Sequence, residues 1–158
     1  MPTSDSGSLT AEAELRSCIE RFDPGNQKIF RSVRSAMRKR LPTANELAYD
    51  YGSHVVIAYA PTDRGIEAAL AIALRANGVQ LYLNQGKKLP DPNKLLQGSG
   101  QARFVWLDSA RKLADPDVAA LISAALRTAS IPYPAKGKRT LIIRPTAARK
   151  RRPPKAKK

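Results

Sequence analysis

The chain of 158 residues has one cysteine and one histidine. A lone thiol forms no intrachain disulfide. With Cys18 and His54 as the only thiol and imidazole groups, no cysteine- or histidine-based metal centre is expected. The same shortage removes the nucleophile–imidazole relays of most hydrolases, so no catalytic residues, no enzymatic activity and no cofactor are expected. No apolar run approaches the ~18 residues needed to span a membrane, and residues 1–10 lack the basic-then-apolar pattern of a secretory signal. These absences argue against a membrane partner and favour the cytoplasm. Acidic residues are the remaining shortage, thirteen against twenty-eight Lys and Arg.

That acid deficit is local. Residues 136–158 carry eleven Lys/Arg and no Asp or Glu, so +11 of the formal +15 sits in this Pro-rich segment. A run without apolar residues repels itself, stays out of a core and attracts polyanions. The chain therefore reads as a flexible leader over 1–10, one domain over 11–131, and a Pro/Lys/Arg-rich tail over 132–158. Arg149, Lys150, Arg151, Arg152 and Lys155 form a polybasic arm, read either as a solubilising tail or as a contact for nucleic acid or another polyanion.

Hydrophobic periodicity gives the elements. Leu15, Cys18, Ile19 and Phe22 recur at helical spacing behind a possible N-cap at Thr10, and place the thiol on a buried stripe. Asp23-Pro24 starts a second helix and Pro42 stops it; Ile29, Phe30, Val33 and Met37 form its apolar face. Its other face carries Lys28, Arg31, Arg38 and Lys39, either a solvated surface or one that tracks phosphates. Period-two alternation then takes over. Leu47, Tyr49 and Tyr51 read as the buried face of a strand, with Asp50 pointing away. Gly52-Ser53 is a two-residue turn into a strand over His54–Ala60. Residues 67–76 form a strand joined through an Asn77-Gly78 turn to one over 79–83. Residues 103–108 form a fifth strand, and Asp115-Pro116 opens a last helix. The expected fold is α+β and two-layered, with two N-terminal helices, about five antiparallel strands and a C-terminal helix. Thr140-Leu141-Ile142-Ile143, inside the basic tail, could add an edge strand over 139–144 or dock in a groove.

The stretch from Tyr49 to Ala125 resembles the YdhG-like domain-of-unknown-function family. The likeness is carried by Tyr49-Asp50-Tyr51, Val55–Tyr59 running into Pro61-Thr62-Asp63-Arg64, Leu89-Pro90-Asp91-Pro92, Leu95–Gly100, Arg103, Leu107-Asp108 and Val118–Ile122. The resemblance implies an α+β fold with an antiparallel sheet and no established activity. Some members have been linked to frataxin-like iron delivery. Here only Glu12, Glu14 and Glu20 mark the first helix, and the second is basic, which disfavours a hard cation.

Two function classes follow. One is a small non-enzymatic binding module with an unidentified protein or small-molecule partner and a tail that contacts nucleic acid. The other is a small-molecule or metal-handling domain, or an enzyme of unfamiliar type. Candidate ligand residues are Tyr49, Asp50, Tyr51, Lys87, Asp91, Gly98, Ser99, Gly100 and Arg103. Gly98-Ser99-Gly100 could aim backbone N–H groups at an anion beside Lys87 and Arg103, or simply be a tight connection. Arg31 and Arg38 are the candidate nucleic-acid residues of the domain. Phe104 and Trp106 share the outer face of their strand, either packed under a loop or the tail, or presented as a stacking platform.

Overall fold

The structure is a computed structural model that describes the backbone of residues 3–147 and the side chains of residues 11–147. Arg149, Lys150, Arg151, Arg152 and Lys155 lie outside the described residues. The elements run α1 (Thr3–Ile19), α2 (Pro24–Arg40), β1 (Asn45–Asp50), β2 (His54–Ala60), β3 (Leu70–Arg75), β4 (Gly78–Leu83), β5 (Arg103–Leu107), α3 (Pro116–Arg127) and β6 (Leu141–Arg144). The fold is α+β, but the sheet has six strands and is mixed, in the order β5-β4-β3-β2-β1-β6. β1 to β5 pair antiparallel, while β6 lies parallel to β1. A purely antiparallel sheet is therefore incorrect. The chain returns from α3 across the end of the sheet and enters β6 in the direction of β1.

Helix starts follow capping chemistry. Asp23 accepts the Asn26 N–H and Asp115 accepts the Asp117 N–H, each followed by proline at the first helical position. The first helix begins at Thr3, upstream of the expected cap at Thr10, so the leader is helical from that residue on. The β1–β2 turn uses Gly52 with φ 87°, and Tyr51 N–H donates to His54 O. In the next hairpin the loop residues are Ala76 and Asn77. Gly78, with φ 147°, opens β4 opposite Arg75, one position off the expected turn. β3 starts only at Leu70, because Gly65–Glu67 forms a short 3₁₀ turn.

The main core lies between the sheet and the three helices. Phe30, Val33 and Met37 of α2 and Val118 and Ile122 of α3 pack on Ile57, Tyr59, Leu70, Ile72, Leu74, Leu81 and Leu83. Large-to-small changes at such fully buried positions cost about 2–5 kcal/mol.

On β1 the expected faces are exchanged. Glu46, Ala48 and Asp50 face the helices, while Leu47, Tyr49 and Tyr51 face outward. The acidic residues can be inside because arginines of the helical layer reach them. Residues between 132 and 147 are also attached to the domain. Tyr133 Oη accepts the Ala69 N–H at 2.9 Å and donates to Tyr59 O. Thr43 donates to Pro134 O at 2.7 Å, and Thr146, buried, donates to Asp50 O.

Candidate anion-binding site

Glu46, 1% exposed, anchors a polar cluster below the helices. Arg34 donates to it through Nε and Nη2 at 2.9 and 2.8 Å, and reaches Glu12 at 3.3 and 3.2 Å. Tyr59 Oη donates to the same carboxylate at 2.9 Å. Burial opposes the charge on Arg34, yet its two carboxylates hold the guanidinium pKa well above the ordinary value. Burial, then the Glu46 charge, pushes the Tyr59 phenol well up. Arg34 is thus a committed structural cation.

A second cluster surrounds Asp50. Arg21 donates to both its oxygens at 3.0 and 2.8 Å, and Gly52 N–H donates at 2.9 Å. Burial alone would raise the Asp50 pKa, but these hydrogen bonds hold it below the ordinary carboxylate value. Cys18 Sγ donates to Asp50 Oδ2 at 3.5 Å. Burial, then the Asp50 charge, raises the thiol pKa, so the thiolate is disfavoured.

Above Arg34, between α1 and α2, lies an open cavity of about 660 Å³. Arg16, Arg31, Arg34, Arg38, Lys39 and Arg139 line it, and no lining residue is acidic. α2 supplies four of these cations because 31, 34, 35, 38 and 39 share one side of the helix, one turn apart. Arg139 is fixed at the far end, donating to Arg38 O and Pro42 O at 3.2 and 3.4 Å, where the helix ends in unsatisfied carbonyls. Arg38 differs from Arg34. Its Nε stands 3.8 Å from Glu46 Oε1, an ion-pair distance too long for a hydrogen bond, and among the described residues it is the one buried side-chain nitrogen or oxygen without a hydrogen-bond partner. Several cations around one concave surface raise the local potential and favour an anion with more than one charge.

The structure brings Arg31 and Arg38 together and adds Arg16, Lys39 and Arg139. The sequence-predicted ligand residues do not form one site. Tyr49 and Tyr51 lie on the outer face of β1 and Asp50 on its inner face, while Lys87, Gly98, Ser99, Gly100 and Arg103 gather at the start of β5. Four strand spacings, about 19 Å, separate β1 from β5. The glycine loop presents a carbonyl to its own cation: Arg103 Nε donates to Gly100 O at 2.6 Å. Gly98 adopts φ 110°, and Lys87 N–H donates to Gln101 O at 3.0 Å. Asp91 closes a turn, accepting the Leu95 and Leu96 N–H groups at 2.8 and 2.9 Å. A second cavity, about 340 Å³, lies between Ala68, Leu89, Ala125 and Thr128, and none of these candidates lines it. Among the described residues, no group of three or more His, Cys, Asp or Glu is placed to hold a metal, and no helix is long and apolar enough to cross a membrane.

Sequence reasoning misses Arg21 and Arg34 as partners of buried acids. The signal is present: Arg34 sits one turn after Phe30 and beside Val33, so its stem follows the apolar stripe into the core. Arg139 had no comparable signal, since its position depends on the docking of β6. Compared with family models, curated proteins and solved structures, the chain matches none.

Proposed function

We propose that the protein is a small non-enzymatic binding module of the cytoplasm that holds a polyanion, nucleic acid in the first place, through the cavity between α1 and α2 and the polybasic arm beyond residue 147. The same reading takes the chain as a member of the YdhG-like family on the motifs between Tyr49 and Ala125. The observation that carries it is the convergence of Arg16, Arg31, Arg38, Lys39 and Arg139 on one cavity without a lining carboxylate. Arg34 binds both nearby acids from below and Arg38 Nε stands 3.8 Å from Glu46, which leaves Arg16, Arg31, Lys39 and Arg139 without an acidic partner at the opening among the described residues. Phosphates passing over this surface would exchange condensed counterions for arginines, and binding would then weaken steeply with salt.

The metal-handling alternative finds little support, because Glu12, Glu46 and Asp50 are each bound by an arginine. The test titrates a short labelled duplex and a single strand at several salt concentrations. It uses the full chain, an Arg31→Ala/Arg38→Ala variant, and a chain ending at Ala147, which retains β6. The double variant is expected to lower the slope of log affinity against log salt by about two, and the shortened chain by more, since each lost phosphate contact removes about one. Equal slopes for all three proteins, or no binding near physiological salt, would refute the reading.

A further inference from the structure

All three helices pack on one side of the sheet; on the other, Leu47, Ala58 and Ala71 are buried with Ala68 of the β2–β3 connection, and the aromatic rings to either side are partly exposed. On that outer face the strands present Ile142 and Arg144, Leu47, Tyr49 and Tyr51, His54, Val56 and Ala58, Ala71, Ala73 and Arg75, Gln80 and Tyr82, Phe104 and Trp106. No carboxylate is among them.

We infer that this face is a stacking platform for the unpaired bases of a single-stranded nucleic acid, an inference that rests on the polyanion reading above and adds a second surface to it. Ala58, Ala71 and Ala73 lie buried at the centre of the face, and rings flank them on both sides. On one side Tyr49, Tyr51 and His54 make a ladder of stacked rings, with centroids 5.9 and 5.0 Å apart. On the other, Tyr82, Phe104 and Trp106 make a second ladder, tilted and edge-to-face rather than stacked, with centroids 5.3 and 5.8 Å apart. Tyr51 is 45% exposed. About 19 Å lies between β1 and β5, so the ladders take different bases of one strand.

Charge favours this occupant. Arg75 and Arg144 stand at the rim, Arg75 donating to Gln80 at 2.6 Å and Arg144 to Asp63 O. β6 ends opposite Tyr49, and Thr146 is bonded to Asp50 O. The chain therefore leaves the sheet beside the tyrosine ladder, and seven Lys/Arg follow within residues 149–158. A second copy of the chain on this face would bring like charges together, whereas a single strand offers both π faces and phosphates. A duplex keeps its bases stacked within itself and cannot use the ladders.

Trp106 is the single tryptophan, so its emission reports the platform directly. The full chain is titrated with a short oligothymidylate and with a duplex of equal length near physiological salt, reading both Trp106 emission and the anisotropy of the labelled strand. The single strand is expected to quench Trp106 saturably and the duplex not to. Tyr51→Ala and Phe104→Ala are each expected to weaken binding about tenfold without changing the salt slope, because they remove stacking and no phosphate contact. Folding of each variant is checked by circular dichroism; if Phe104→Ala does not fold, the exposed Tyr51 decides. Strand binding with Trp106 emission and both variants unchanged would overturn the platform and leave the polyanion reading standing. Absence of binding by any polyanion would overturn both. A dimer in sedimentation that Tyr51→Ala dissolves would overturn the platform by assigning the face to a second copy.

Discussion

The two faces of this sheet come from the same alternating strands and use charge in opposite ways. The inner face buries Glu46 and Asp50 and brings Arg34 and Arg21 to meet them. The outer face has aromatic rings at its sides, alanines at its centre and cations at its rim. Burial explains the contrast. A carboxylate under helices needs a permanent partner, because water cannot stabilise it, and its partner is then unavailable for other work. Cations at an open face or in an open cavity keep their hydration and can exchange it for a ligand.

Removing the inner partner tests this contrast most severely. Arg34→Met leaves Glu46 buried with only the Tyr59 hydrogen bond and the Arg38 charge at 3.8 Å and is expected to cost about 3 kcal/mol, a fall in Tm on the order of 10 °C by calorimetry. Arg38→Met, one turn along the same helix, is expected to cost about 1 kcal/mol or less. Equal losses would erase the distinction between the committed and the open arginine.

Asp50→Asn comes next, at about 2 kcal/mol for the loss of charge-assisted hydrogen bonds from a partner that is partly exposed. Its pH dependence has a definite sign. The folded carboxyl titrates below its ordinary value of about 3.8, so its contribution is present above that pH and lost as the pH falls through the lower, folded value. Urea midpoints measured from pH 6 down to 2 should converge for wild type and variant at the acid end. A constant gap would assign the effect to packing.

On the outer face Gly78→Ala is expected to cost about 1–3 kcal/mol, from the positive φ and from a Cβ set 3.2 Å from the Trp106 ring. A shifted Trp106 emission would accompany it. The smallest effect belongs to Tyr51→Ser, within about 0.5 kcal/mol by chemical denaturation, because the ring is not part of the core. A larger loss would mean that the outer face is structural.

Much of the scaffold was legible in the sequence. Capping aspartates followed by proline mark two helix starts, and the inward positions of β2 to β5 follow period-two alternation, although the alanine-rich run of β3 also suits a helix. On β1 the alternation misleads for a physical reason. Its alternation separates a polar set from an apolar one, and the rule that polar faces water fails when helix arginines neutralise the acids inside. The parallel β6 was legible only as β-prone residues in a basic setting, because nothing local encodes a partner so far away. Of the candidate site, Arg31 and Arg38 could be read from helical spacing. Arg16 and Arg139 required the tertiary arrangement, and the supposed grouping of Tyr49, Asp50, Lys87 and Arg103 disappears once sheet order separates β1 from β5.

The parallel strand has a consequence for how the chain is made. Thr140 N–H bonds to the side chain of Asn45, 95 residues earlier. Closing so long a loop is entropically costly and slow relative to the hairpins that link β1 to β5. During synthesis, which releases the N-terminal residues first, β1 is the provisional edge of a five-stranded sheet until residues 141–144 emerge. Through that interval Glu46 and Asp50 mark the edge with inward-pointing charge, a feature that discourages pairing with a neighbouring chain. The two buried acids that look like a burden in the finished fold protect the unfinished one.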